Sequence, residues 1–99
     1  MKKVRLTKEK IEIIKRYAEL IFGKDTEVYL FGSRADLNKK GGDIDLLILT
    51  KSRENLFKKK LIFLSKLYKD LGEQKIDVII TEKPKSYIEL KAINSGVKL

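Results

Sequence analysis

No cysteine and no histidine occur anywhere in the 99 residues. The first absence removes disulfides, thiolate metal sites and thiol nucleophiles. The second removes the commonest metal ligand and the side chain best placed to move protons near neutral pH. Aromatic residues make up only 8% of the chain and do not alternate with the basic ones, so no stacking platform for nucleic-acid bases is evident. No apolar run approaches the about 20 residues that a membrane-spanning helix needs. The basic first residues lead into an amphipathic pattern rather than a continuous apolar stretch, so no signal peptide is expected, and a soluble cytoplasmic protein is.

Apolar residues reach 42%, enough for a core and against disorder. At this length one domain is expected, residues 1–99, built on one sheet with a few helices. The formal net charge is +9. It reads either as attraction to nucleic acid, nucleotide or an acidic partner, or as the lysine- and glutamate-rich surface of heat-adapted proteins. The lysines are scattered, which fits the second reading, and Lys58-Lys59-Lys60 reads as a solvated helix face.

Residues 7–22 predict a helix capped by Thr7. Its apolar stripe is Ile11, Ile14, Ala18 and Ile21, widened by Ile13, Tyr17 and Leu20, and Gly23 stops it. Residues 26–31 predict a strand ended by Gly32-Ser33, then a helical turn to about Leu37 and a loop over 38–42. Asp43 to Thr50 is the second strand. Ser52 caps a helix over 53–71 with the stripe Phe57, Leu61, Leu64, Tyr68 and Leu71, closed by Gly72. Lys75 to Thr81 is the third strand. Pro84 opens a last helix with Tyr87, Leu90 and Ile93 inward and Gly96 at its end. The fold class is α+β, a small mixed sheet flanked by helices.

The chemistry sits at two strand entrances. Side chains alternate along a strand, so Asp43 and Asp45 share a face, about 7 Å apart along the backbone. Two carboxylates this close repel and raise one another's pKa unless a cation lies between them, and magnesium prefers such oxygens completed by water and substrate phosphates. Asp77 opens the next apolar strand. If that strand lies beside the second, three acids converge on metal, or two hold metal while the third takes a proton. Upstream, Gly32 lets backbone approach a phosphate, Ser33 offers a hydroxyl and N–H groups, and Arg34 a guanidinium. The plainer reading makes Asp43 a turn cap, Asp45 an edge residue, Ser33 a helix cap and Asp77 a partner of Lys75.

Phe31-Gly32-Ser33-Arg34-Ala35, then Gly42-Asp43-Ile44-Asp45-Leu46-Leu47-Ile48, then Lys75-Ile76-Asp77-Val78-Ile79 resemble the nucleotidyltransferase superfamily that includes DNA polymerase β. The likeness is strongest to its minimal members, the MNT-type proteins partnered with a HEPN-domain toxin. The nine residues between Ser33 and Asp43 make a short loop for the family. The resemblance implies that Gly32 and Ser33 hold the β,γ-phosphates of a nucleoside triphosphate, that Asp43 and Asp45 hold Mg2+, and that Asp77 is the third acid, aiding deprotonation of an incoming hydroxyl. It also implies an antitoxin that transfers AMP from ATP to a tyrosine of a HEPN RNase toxin, silencing it. The elements take up nearly all 99 residues, so the acceptor is expected to bring its own structure; core packing is the expected role of Tyr87 and Ile88, and a docking surface the alternative. Two alternatives stand beside it: a non-catalytic module that neutralises its partner by docking, and a transferase directed at nucleic acid, although nucleic acid is not the expected substrate.

Overall fold

The computed structural model describes residues 4–36, 41–72 and 75–99. The predicted α+β class, with a small mixed sheet flanked by helices, is what the chain adopts. Helix α1 is Lys8–Phe22, and strand β1 is Glu27–Phe31. A 3-10 turn follows at Gly32–Ala35, then β2 at Ile44–Leu49, α2 at Leu56–Leu71, β3 at Ile76–Thr81, α3 at Tyr87–Ser95 and β4 at Val97–Lys98.

The sheet order is β3-β2-β1-β4. β1 runs antiparallel to both β2 and β4, while β2 and β3 are parallel with α2 as their crossover. A parallel pair needs a long connection, and α2 supplies it. β4 is absent from the predicted order: two residues after Gly96 carry no strand periodicity, and only the open edge of β1 makes a strand of them.

α1 and α2 cover one face. Ile14, Ala18 and Phe22 from α1, and Phe63, Leu67 and Leu71 from α2, pack on Val28, Leu30, Ile44, Leu46, Ile48, Ile76 and Val78. Phe22 and Phe63 meet edge to face, with ring centroids 5.6 Å apart. Leu47 and Ala92 are also buried but stand outside this cluster. Since side chains alternate, Leu47 faces away from α1 and α2, and α3 covers that second face.

Thr7 caps α1 as expected, accepting from the Lys10 amide at 3.2 Å. Gly23, with φ +115°, ends the helix by donating to the Glu19 carbonyl. Phe22 completes the stripe four residues after Ala18, and Leu20, expected inside, is exposed.

α2 differs more. It starts at Leu56, after Asn55 in the left-handed region, and Ser52 does not cap it. The Ser52 amide instead donates to Thr50 Oγ1 at 3.2 Å, which keeps the chain turned after β2, and the Ser52 hydroxyl accepts from Lys59 Nζ at 2.7 Å. Of the predicted stripe, Leu71 is buried and Leu64 packs against the core, whereas Phe57, Leu61 and Tyr68 are exposed. Phe63, Leu67 and Leu71 form the true core face, rotated by about 80° at the 100° per residue of an α-helix.

The last helix also starts late. Ser86 and Glu89 form a reciprocal capping box, and this strong start signal overrides Pro84. Tyr87 and Leu90, expected inward, are exposed, and Ala92 is the buried residue of α3. The short turn predicted from Ser33 is present as Gly32–Ala35, while Leu37 and residues 38–40 of the predicted loop lie outside the described residues. Among the described residues, no helix is long and apolar enough to cross a membrane.

Candidate active site

Register decides whether the acids meet. In the parallel ladder Asp45 is the direct partner of Asp77, so the two carboxylates leave neighbouring strands on one face. Across β1 the partner of Asp45 is Phe31, the last strand residue before the turn. This is the face opposite α1 and α2, shared with α3. Asp43 precedes the first residue of β2 and is exposed.

The turn comes to the acids through a glycine. Gly32 sits at φ +74°, and a Cβ there would collide with Asp45 Oδ2. Only a residue without a side chain lets the backbone of the turn lie against that carboxylate. Gly41 allows a second close approach: a Cβ there would stand 2.8 Å from Ser33 Oγ. Turn, loop and acids are therefore one packed unit, a close approach that the spacing of Ser33 and Asp43 did not disclose.

Arg34 faces elsewhere than expected. Its guanidinium donates to the Arg5 carbonyl at 2.7 Å and to the Gly42 carbonyl at 3.2 Å. Arg5 returns a backbone bond to the Arg34 carbonyl at 2.9 Å and a guanidinium bond to the Gly41 carbonyl. Four interlocked bonds tie the segment before α1 to the glycine loop and the turn. Arg34 and Arg5, the latter missed from sequence, hold the shape of the site. Nothing in the sequence near Arg5 signalled this, because the contact spans 36 residues.

Electrostatics at the pair are unfavourable without a cation. Burial, then the charges of Asp77 and Asp43, push the Asp45 carboxyl above the usual carboxylate range, while Lys75 opposes them. The ion pair between Lys75 and Asp77 is long, 3.9 Å, and solvated. It matches the plainer reading of Asp77 in kind but is too weak to absorb the charge of the carboxylates. Among the described residues no three His, Cys, Asp or Glu side chains stand together as a closed metal cage. What the chain presents is a facing pair of hard oxygen donors, Asp45 and Asp77, with Asp43 acting on Asp45 through its charge. That donor set fits magnesium, which keeps waters and substrate phosphates in its shell rather than an all-protein cage.

Two clefts open here. One, of about 440 Å3, is lined by Asp45, Asp77, Phe31 and Ile88 together with Lys60 and Leu64 of α2. Consecutive β3 residues Ile76 to Ile79 line it too, so it crosses the sheet edge. The other, of about 280 Å3, lies between the turn (Gly32, Ala35, Asp36) and α3 (Ile88, Lys91, Ser95). Phe31 and Ile88 border both. Ile88, named from the sequence with Tyr87 for a docking surface, forms a wall shared by the two clefts.

Against known proteins, the family model of the nucleotidyltransferase domain matches residues 8–99. No curated protein matches the chain.

Proposed function

The chain belongs to the nucleotidyltransferase domain family, and from that premise we propose that it transfers AMP from ATP to a tyrosine hydroxyl of a partner protein, a HEPN-type RNase, and so acts as its antitoxin. The observation that carries the catalytic reading is the Asp45–Asp77 register pair lying against the Gly32 turn. Two aligned carboxylates beside a turn that accepts no side chain are what triphosphate chemistry needs. An ordinary strand-entry acid gains nothing from a neighbour of like charge.

Each residue then has a task. The Gly32 and Ser33 amides and the Ser33 hydroxyl hold the β,γ-phosphates. Arg34 and Arg5 keep that turn in shape. Asp45 and Asp77 would hold Mg2+, with the charge of Asp43 beside them, and the ion when bound would neutralise phosphate charge and polarise the α-phosphorus. Asp77, exposed at the sheet edge, accepts the proton of the incoming hydroxyl. The hydroxyl oxygen bonds to the α-phosphorus, the bond from that phosphorus to the bridging oxygen breaks, and pyrophosphate leaves.

Every described element packs on the sheet, so the acceptor comes from outside these residues. A protein acceptor suits the exposed apolar side chains near the site better than nucleic acid does, because among the described residues the rings that pair, Phe22 and Phe63, are buried in the core rather than open to a base. The test is incubation with α-labelled ATP, Mg2+ and the purified RNase partner. Label and one AMP of added mass are expected on the partner, and neither with Asp45→Asn or Asp77→Asn. Transfer that persists in both variants overturns the assignment. Silencing of the partner without ATP, with no adduct, would make docking alone the function.

A further inference from the structure

α2 carries two apolar faces, and the sheet uses one. Phe63, Leu67 and Leu71 are buried, but Phe57 is 76% exposed, Leu61 51% and Tyr68 43%, and they follow the spacing of a helix–helix seam with half-buried Leu64 between them. Solvent-facing apolar residues scattered singly need no explanation; three in register along three turns, with half-buried Leu64 between them, do. The seam is fixed in place, since the Tyr68 hydroxyl accepts from the Ile76 amide at 3.2 Å and donates to the Ile76 carbonyl.

Its borders are cationic. On a helical wheel Lys60 flanks one side of the stripe and Lys58 and Lys69 the other. The one acid of α2, Asp70, points away and accepts from Tyr17 of α1. A second copy laid on this seam would set lysine against lysine, which opposes pairing. Glutamate or aspartate at the flanking positions of an incoming helix would meet a cation on each side.

We propose that the outer face of α2 is the docking surface for an amphipathic, acid-flanked helix of the acceptor protein. Lys60 at the border of the seam and Leu64 within it also line the cleft that holds Asp45 and Asp77. A helix seated there lies at the lip of the reaction site and presents its neighbouring segment to the carboxylates. That the docked protein is the acceptor rests on the transferase reading; the docking itself does not.

The probe is a synthetic helical peptide with leucines at the four seam positions and glutamate at both flanks. A second peptide carries lysine at those flanks. Binding to the full chain is read by fluorescence anisotropy, without nucleotide. The glutamate peptide is expected to bind at least about tenfold tighter than the lysine peptide, and Phe57→Asp or Leu61→Asp to weaken it by a similar factor. Ile62→Ser, at an exposed apolar position of α2 outside the seam, should leave binding unchanged. So should Asp45→Asn, which separates docking from transfer: intact binding with no transfer by the unaltered chain would sink the catalytic reading alone. Equal affinity for both peptides, no binding of either, or indifference to Phe57→Asp and Leu61→Asp overturns the docking surface. A dimer in sedimentation equilibrium that Leu61→Asp dissolves would replace the partner helix by a second copy.

Discussion

Gly32 shows how much one missing side chain decides. Any Cβ there meets the Asp45 carboxylate, and the φ of +74° is strained for every other residue. Gly32→Ala should cost about 1–3 kcal/mol and remove nucleotide binding, measurable by urea melts and by ATP titration. Asp45 itself works against stability while no cation is bound. Burial and the charges of Asp77 and Asp43 raise its pKa in the folded chain. Between the ordinary carboxylate value and the raised one, the folded state binds more protons than the unfolded state. Stability conferred by this group is therefore full in acid and falls as pH rises through that window. Metal-free Asp45→Asn should be more stable than the unaltered chain at neutral pH, with the difference vanishing towards acid. Chemical denaturation at several pH values in the presence of a chelator checks this; a less stable variant at neutral pH contradicts the account.

Among the elements, α2 separates what periodicity can and cannot reveal. Its presence and its Gly72 stop are legible because backbone propensity and the glycine end are local, whereas its start, expected at Ser52 and found at Leu56, is not. Which of its two apolar faces meets the sheet is not. Phe57, Leu61, Leu64, Tyr68 and Leu71 make as good a stripe as Phe63, Leu67 and Leu71, and the choice is made by where α1 and the sheet stand. Alanine scanning resolves it. Phe63→Ala and Leu67→Ala should cost about 2–5 kcal/mol, while Phe57→Ala and Leu61→Ala should stay within about 0.5 kcal/mol, read from melts of each variant. In α3 the capping box can be weighed against Pro84 by the same means. Ser86→Ala should cost about 1 kcal/mol, and Pro84→Ala less, since the helix begins beyond it.

For the whole molecule, cation and nucleotide should act as folding ligands, because the carboxylate pair and the turn come together only in the folded sheet. Mg2+ with ATP at about a hundredfold over its dissociation constant should add about 2.7 kcal/mol, seen as a rise in melting temperature that Asp77→Asn abolishes. The sequence by itself determined the three helices, the first three strands, the strand entrances where the acids stand, the turn glycine and the absence of thiol and imidazole chemistry. All of these follow from local propensity and residue type. The tertiary structure alone decided the rest. It set the register that makes Asp45 and Asp77 partners and gave Arg34 and Arg5 their hold on the glycine loop. It added β4 to the open edge of β1 and left an apolar face of α2 to solvent. Each of these depends on groups distant in the chain meeting in space, and spacing along a sequence carries no measure of that.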